Sequence, residues 1–526
     1  MNGNSLQGAA GVGKAVANSI VLGHPSDSGD MLPFDIQRFT SLHNNSRFLS
    51  ERAKEVVGKH YKLEYPLVSE FTHGRNIRSS TIHSELEAHG GVFGQRMGWE
   101  VPLYFDTYHR EDARPELPKG SFGKPEFLDN IHDEYDACKN GVGVIDMSSF
   151  AKLSIEGKDE DSVVNYLQNL CSNDVNITQG EIISTGMQNK GGGYENDCLL
   201  VRTEKDTFFM VSPSQQQTRV YDWMENHLPE DDRVGLYDVT SMYTVLILVG
   251  PKSKDLLAEL SGEDVNIPPF TCKNVNVGFA TGVMAMAVTH TREPGYSLYI
   301  PSEFALKIYD NLMYVGRDYG IRNVGQLAMK FLRVEKFIPT WTEELSSVIS
   351  PIQVNRTFKV DFKKSDFIGK DALEEQNKAG VYKRLVQFHL EEFDKEEGIW
   401  PWGGESVYRD GKFVGTVTSS AYGFHLQKMV ALGFVENRDT SGKQIPVGAD
   451  WINDKDVQWE MDIAGDKIPI SVHLHPPKKA VDEGQLKAKT NKYLASQVPV
   501  MKTTNTDDKD EENADAHDED IHSTTA

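Results

Sequence analysis

Cysteine is scarce in this chain. Cys138, Cys171, Cys198 and Cys272 are the only four among 526 residues. None stands in a CxxC pair and none has a histidine at zinc spacing, which excludes a disulfide framework and a structural zinc site. Buried thiols in a reducing compartment are expected. Long apolar runs are also missing. No stretch approaches the ~20 residues that a helix needs to cross a bilayer. Basic residues are outnumbered, 55 Lys and Arg against 78 Asp and Glu, giving a net charge of −23. Without clustered cations, nucleic acid is excluded as a general partner. Much of the acidic excess lies in Asp507–Asp520 (DDKDEENADAHDED), a run that reads as a solvated, disordered end.

Several chemical signatures are absent too. No GxGxxG opens a strand-turn-helix, and there is no GxSxG elbow and no HExxH. No metal site is expected. His473 and His475 share one strand face but have no further ligands in view, so they read as ordinary strand histidines. Gly8–Lys14 (GAAGVGK) comes near a phosphate-binding loop. The next residue is Ala15, where magnesium chemistry needs a hydroxyl, and no strand precedes it. The start, MNGNSLQGAAGVGK, has neither the pattern of a signal peptide nor the Arg- and Ser-rich character of a mitochondrial presequence. It reads as cytosolic or as internal to a longer chain.

What is present is a mixed α and β pattern long enough for roughly two to four domains. A helix is expected over Gly8–Ile20 and a second over Phe48–Tyr61, with a proline and aspartate loop, His24–Phe39, between them. Two helices and a loop cannot bury a core, so this part must pack on something else. Arg75–Pro102 reads as a polar connector leading into a helix. From Phe127 to Val381, strands such as Phe208–Val211, Val245–Val249, Met284–Val288 and Ser297–Ile300 mix with helices such as Asp161–Leu170, Gln217–His227 and Glu303–Tyr319. That mixture, with its hairpins, favours α+β over a doubly wound parallel sheet. From Lys383 to about His475, short strands separated by turn dipeptides predict a small β-barrel or sandwich.

The most informative stretch is Gly186–Cys198 (GMQNKGGGYENDC). Three glycines, Gly191–Gly193, break two strand-like arms, and Glu195, Asn196 and Asp197 follow. Such a flexible turn delivers a carboxylate to the mouth of a buried strand, where it can hold an amine nitrogen or act as a general base. A plain turn stabilised by Asx contacts is the other reading. A second polar turn, His290–Tyr296 (HTREPGY), offers Glu293 to meet a ligand ring and Tyr296 to stack on one; a plain hairpin turn is again the alternative. Arg333 and Glu335 read as a structural ion pair.

In this order the segments GVGVIDMSSFAKLSIEG (141–157), GGGYENDCLLVR, THTREPGYSLYIP (289–301), AMKFLRVEKF (328–337), DFIGKDAL (366–373) and GKFVGTVTSSAYGFHL (411–426) resemble the folate-binding aminomethyltransferases, the T-proteins of glycine cleavage. They resemble still more their fused relatives, the dimethylglycine and sarcosine dehydrogenases. Residues 1–75 resemble the end of a flavin-dependent oxidoreductase domain and its bridge. Gly8, Gly11 and Gly13 are implied as a flavin-domain loop. The resemblance implies a linker over 76–126, a folate-binding domain over 127–381, a C-terminal β-barrel over 382–476 and an acidic tail over 477–526. It implies a tetrahydrofolate pocket lined by Tyr194, Asn196, Asp197, Glu293 and Tyr296, with Asp197 the candidate catalytic acid. FAD is implied for the full-length relatives and not for this chain alone. VIDMSSF, TGMQNKGGGYENDC, YGIRN, GVYKRL, WPWGGESVYRDGKFVGTVTSSAY and EMDIAG resemble a non-catalytic branch of the group, the regulatory subunits of pyruvate dehydrogenase phosphatase. This implies the phosphatase catalytic subunit as partner and the mitochondrial matrix as location. An oxidative N-demethylase remains the alternative. Two departures stand out: Asn196 occupies the first of two positions that are usually aspartate in aminomethyltransferases, and Met329 occupies that of their arginine.

Overall fold

Two strands at the centre, Val142–Asp146 (VGVID) and Tyr243–Val249 (YTVLILV), are rich in β-branched and aliphatic residues. Their alternate side chains enter different cores. Ile145, Val245, Ile247 and Val249 join one cluster, while Val142, Val144, Leu246 and Leu248 join another. Period-two alternation thus makes these strands the wall between two cores. The computed structural model describes residues 5–25, 30–59, 69–108 and 122–477, so Asp507–Asp520 lies outside the described residues.

The two strands belong to a six-stranded sheet. It is antiparallel except where Ile321–Asn323 runs parallel to Val142–Asp146. A five-stranded antiparallel sheet carries the glycine hairpin, in the order Ile182–Gln188, Tyr194–Glu204, Thr207–Ser212, Ala151–Gly157, Val234–Asp238. The C-terminal strands close into a six-stranded barrel, because Lys383–Leu390 pairs both with Asp466–His473 and with Lys428–Arg438. Closure removes the free edges that a sandwich leaves. The fold is α+β, as expected.

The stretch read as connector and helix holds only the short helix His83–Ala88. It continues as a hairpin, Gly91–Arg96 with Trp99–Phe105. Every residue of WEVPLYF is buried. Glu100 and Pro102 hide this strand in the sequence, and Glu100 tolerates burial because Arg75 pairs with it. Glu134 clasps the hairpin. Its carboxylate accepts the Phe105 N–H at 2.6 Å and the Gly325 N–H at 2.8 Å. Glycine is required at 325, since a Cβ would run into the Leu103 carbonyl.

Gly325 precedes the helix Gln326–Glu335, which joins the sheets to the barrel. Arg333 and Glu335 do not pair. Residues two apart do not face each other on a helix. Arg333 binds Glu343 and Glu344, and Glu344 in turn accepts Thr418 and Ser419 of the barrel at 3.0 and 2.5 Å. Glu335 accepts the Tyr135 hydroxyl at 2.6 Å and the Leu426 N–H at 2.8 Å.

The N-terminal helices are Ser5–Leu22 and Ser46–Lys59, and the second has no buried residue. As expected, this part leans on another element, the helix Gln217–Glu225. Asp35 pairs with Arg219, Gln37 donates to Asp222 at 3.1 Å, and Thr218 donates to the Phe39 carbonyl at 2.8 Å.

Burial pushes the Glu134 carboxyl up to about 8, against the pull of its two backbone N–H bonds. Between about pH 4.5 and 8 the folded state therefore holds a proton that the unfolded state has lost. This one group lowers stability as pH rises, by at most ~1.4 kcal/mol per pH unit. Urea unfolding of the protein and of Glu134→Gln should show a stability difference that falls through that window and is flat on either side of it.

Candidate functional site

The glycine hairpin is built on one amide. Asn189 Oδ1 accepts the N–H groups of Gly191 and Gly193 at 3.0 and 3.2 Å. Its Nδ2 donates to Glu195 at 3.0 Å and to the Ser347 carbonyl at 2.9 Å. Gly192 takes a left-handed backbone (φ +83°), and a Cβ on Gly193 would run into the Ser347 carbonyl. The Tyr194 N–H then bonds the Ile349 carbonyl at 3.0 Å. His24 covers Gly191, and Leu373 covers Gly192. This corrects the expected flexible lip: the turn is wedged beneath the segment 347–349.

Adjacent residues of a strand face opposite ways, so the expected Asn196 and Asp197 pair is divided. Asn196 is fully buried, its Nδ2 lies 3.5 Å from Met210 Sδ, and its Oδ1 has no partner. Asp197 meets two cations, Arg356 at 2.8 Å and Lys359 Nζ at 2.5 Å. Burial alone would raise the Asp197 pKa. The charges of Lys359 and Arg356 overcome it and hold the carboxyl below its ordinary value. Burial lowers the Lys359 pKa, partly offset by Asp197.

Three further groups gather here. His290 is pushed down to about 4, mainly by burial and further by Lys359, against the attraction of Asp197. At neutral pH it is an uncharged imidazole, packed on the Phe150 ring at 4.9 Å. Solvent reaches Arg292, yet protein surrounds it closely enough for desolvation, together with the Arg356 charge, to bring it down to about 10. Arg292 forms no ion pair among the described residues. The buried Tyr194 hydroxyl sits in the fields of Asp197 and Arg356, with the Arg356 guanidinium as its side-chain neighbour.

The other expected site residues lie elsewhere. Glu293 is buried in an ion pair with Lys336 and another with Lys139 at 3.3 Å. Tyr296 packs in the second core with Leu298 and Ile300, and its hydroxyl reaches the Val265 carbonyl at 3.3 Å. By strand alternation it is Tyr299 that enters the first core, with Tyr194. Gly8, Gly11 and Gly13 lie within the helix Ser5–Leu22, so they form no loop. A Cβ on Gly11 or Gly13 would meet open space, and one on Gly8 only Val12 of the same helix. These glycines do not fit the approach of a flavin. Sequence reasoning missed Arg356 and Lys359, which lie in an irregular stretch with only the short turn Thr357–Lys359 as local structure. His290 and Arg292 were visible in HTREPGY, where Glu293 and Tyr296 drew the attention.

This arrangement is a cluster with surplus positive charge. Its one carboxylate is saturated, its histidine is neutral, and Arg292 is free. A carboxyl with so low a proton affinity is a poor general base near neutrality.

The sequence matches the GCVT N-terminal domain over residues 82–364, the glycine cleavage T-protein C-terminal barrel domain over 383–479, and the FAD dependent oxidoreductase central domain over 26–80. It is 41% identical over 481 residues to the mitochondrial pyruvate dehydrogenase phosphatase regulatory subunit of Mus musculus, covering 90% of this chain and 54% of that protein. It is 29% identical to the mitochondrial sarcosine dehydrogenase of Homo sapiens, covering 90% of this chain and 54% of that one. An aminomethyltransferase of Thermoanaerobacter sp. (strain X514) is 29% identical, covering 71% of this chain and 93% of the enzyme. The chain thus spans about half the length of the mitochondrial relatives it matches. The crystal structure of glycine cleavage system aminomethyltransferase T from Bartonella henselae superposes with a TM-score of 0.63 at 18% identity, covering 76% of this chain and 98% of that one.

Removing the Asp197 carboxylate strands two buried cations. Asp197→Ala should cost about 3 kcal/mol in urea unfolding. Adding Lys359→Met should restore part of that loss. A further loss of the same size would refute the pairing as its cause.

Proposed function

The chain belongs to the glycine cleavage T-protein family, and from that premise we propose that it serves as a non-catalytic regulatory subunit of a pyruvate dehydrogenase phosphatase, located in the mitochondrial matrix. One observation carries the reading: 41% identity to such a subunit across 90% of the chain, against 27–29% for the demethylating dehydrogenases and aminomethyltransferases named above and their relatives. The site supports it. Asp197 is the candidate catalytic acid, yet Lys359 and Arg356 occupy it, and Asn196 supplies no charge on the other face of the strand. The phosphatase chemistry would belong to a separate catalytic subunit bound by this chain.

Tetrahydrofolate is the ligand that the family implies for the pocket. Arg292 suits its carboxylates, and the Tyr194 hydroxyl beside Arg356 suits a ring heteroatom. When bound, folate supplies a one-carbon acceptor. Asp197 offers its amine side no unengaged oxygen pair, so this chain would hold folate as a sensed ligand. The alternative is a dimethylglycine or sarcosine dehydrogenase-like demethylase that uses FAD and tetrahydrofolate. The match to the oxidoreductase central domain over residues 26–80 favours it. It requires Asp197 to leave both cations, and it requires a flavin fold that the glycines of Ser5–Leu22 do not provide.

The tagged protein should retain the phosphatase catalytic subunit from a mitochondrial matrix extract, and failure to retain it would sink the regulatory reading. The purified protein should also be colourless. A stoichiometric flavin absorption band would favour the demethylase instead. Titration with tetrahydrofolate should give binding that weakens at least tenfold in Arg292→Gln. If binding is instead abolished by Asp197→Asn and untouched by Arg292→Gln, Asp197 is the ligand-holding group.

A further inference from the structure

A second concavity lies away from Asp197 and shares no residue with that site. It is a cleft of about 310 Å³, formed where residues 77–81 cross the six-stranded sheet beside the hairpin strand Trp99–Phe105. Seven of its eleven lining residues are serine or threonine, one is Arg78, and none is a carboxylate. Such a volume is at the lower end of small-molecule sites, and junctions between structural units are where such sites concentrate.

The hydrogen bonds show which donors are spoken for. Ser80 and Ser148 both donate to Asp146 at 2.5 Å, behind the wall of the cleft. Ser302 donates to the Ser241 carbonyl at 3.1 Å, and Thr244 donates to Thr81 Oγ1 at 3.1 Å. Thr81 therefore keeps its own proton to give. The hydroxyls of Ser79, Ser241 and Tyr243 have no hydrogen-bond partner among the described residues.

Arg78 completes the set. Its guanidinium lies over Trp99, 4.2 Å from the ring centre, and donates to Gln217 Oε1 at 3.0 Å and to the Met97 carbonyl at 3.4 Å. Gln217 in turn donates to Asp238 at 2.8 Å, so the nearest acid touches Arg78 only through an amide. No carboxylate pairs with Arg78 among the described residues. Burial holds its pKa below the ordinary guanidinium value, with Asp238 opposing. A half-buried cation without a counter-ion gains from an anion that enters the cleft. Lys152 lies behind the same wall, its Nζ held by the Ser148 and Phe150 carbonyls at 2.8 and 2.9 Å; burial brings it down to about 7, so with Asp146 beside it the wall adds little net charge and Arg78 is the cation of the cleft.

We propose that this cleft is a binding site for the phosphate group of a small phosphorylated molecule, held by the Arg78 guanidinium and by the Ser79, Thr81, Ser241 and Tyr243 hydroxyls. Phosphate is favoured over carboxylate because several donors converge from separate elements. A phosphate group presents three terminal oxygens to such a ring of donors, and a carboxylate only two. The rest of the cleft takes the small organic remainder of the ligand. This site stands whether or not the chain regulates a phosphatase.

The test is calorimetric titration of the whole protein with inorganic phosphate, with sodium chloride at matched ionic strength and glucose as controls. Saturable binding of phosphate alone is expected. Arg78→Gln should weaken it at least tenfold. The double variant Ser79→Ala/Ser241→Ala leaves the Arg78–Trp99 stack intact and should weaken binding at least threefold, with an unchanged circular dichroism spectrum. Arg292→Gln, in the charge cluster around Asp197, should leave it unchanged. The proposal is overturned if phosphate does not bind saturably, if glucose binds in its place, if both cleft variants keep full affinity, or if only Arg292→Gln abolishes binding.

Discussion

A charge taken out of water must find its opposite, and this structure is joined by that requirement. An isolated ion costs several kcal/mol to bury, so a buried cation needs an acid or, as Lys152 does, a set of carbonyls. Asp197 draws Arg356 and Lys359 onto the strand Tyr194–Glu204. Glu195, on the same strand, holds Arg219, and Arg219 holds Asp35 of the N-terminal part. Arg333 holds Glu343 and Glu344, and Glu344 reaches the barrel. Glu293 ties Lys139 to Lys336. Apolar area fills the cores, while these pairs set which surfaces meet.

The same rule bears on the proposed non-catalytic role. A catalytic carboxylate needs an unsatisfied valence, either a raised proton affinity or an oxygen turned toward a ligand. Asp197 and Glu293 have been drawn into structural service. What remains is shape and surplus positive charge. A regulator needs only that much, since it has to recognise a small molecule or a partner surface without transforming either.

Much of this was legible in the chain. YTVLILV, TFFMVS and KRLVQFHL are strands because their branched and aliphatic residues suit a surface buried on both faces, and ordered motifs pointed to the α+β family and its barrel. The hairpin Trp99–Phe105 was not legible, because its buried Glu100 looks like a solvent residue until Arg75 is placed beside it. The site was half legible. Asp197 and the turn HTREPGY were visible, but single-residue periodicity decides which side of a strand a group serves. It sends Asn196 and Tyr296 away from the pocket. Arg356 and Lys359 lie more than 150 residues beyond the aspartate they neutralise, and no local pattern links them.

The wedge under Gly193 also dictates an order of events during synthesis. Asn189 donates to the carbonyl of Ser347, 158 residues further along. At roughly 5–20 residues per second, the ribosome delivers that partner on the order of ten to thirty seconds after the turn has emerged. During that interval the turn has Asn189 but not the segment 347–349 that covers it, and the strand behind it carries Asp197, whose cations Arg356 and Lys359 do not yet exist. The hairpin is therefore one of the last parts to be finished although it is made early. A growing chain that pauses before residue 347 presents an open, apolar-backed sheet to whatever chaperone stands at the exit.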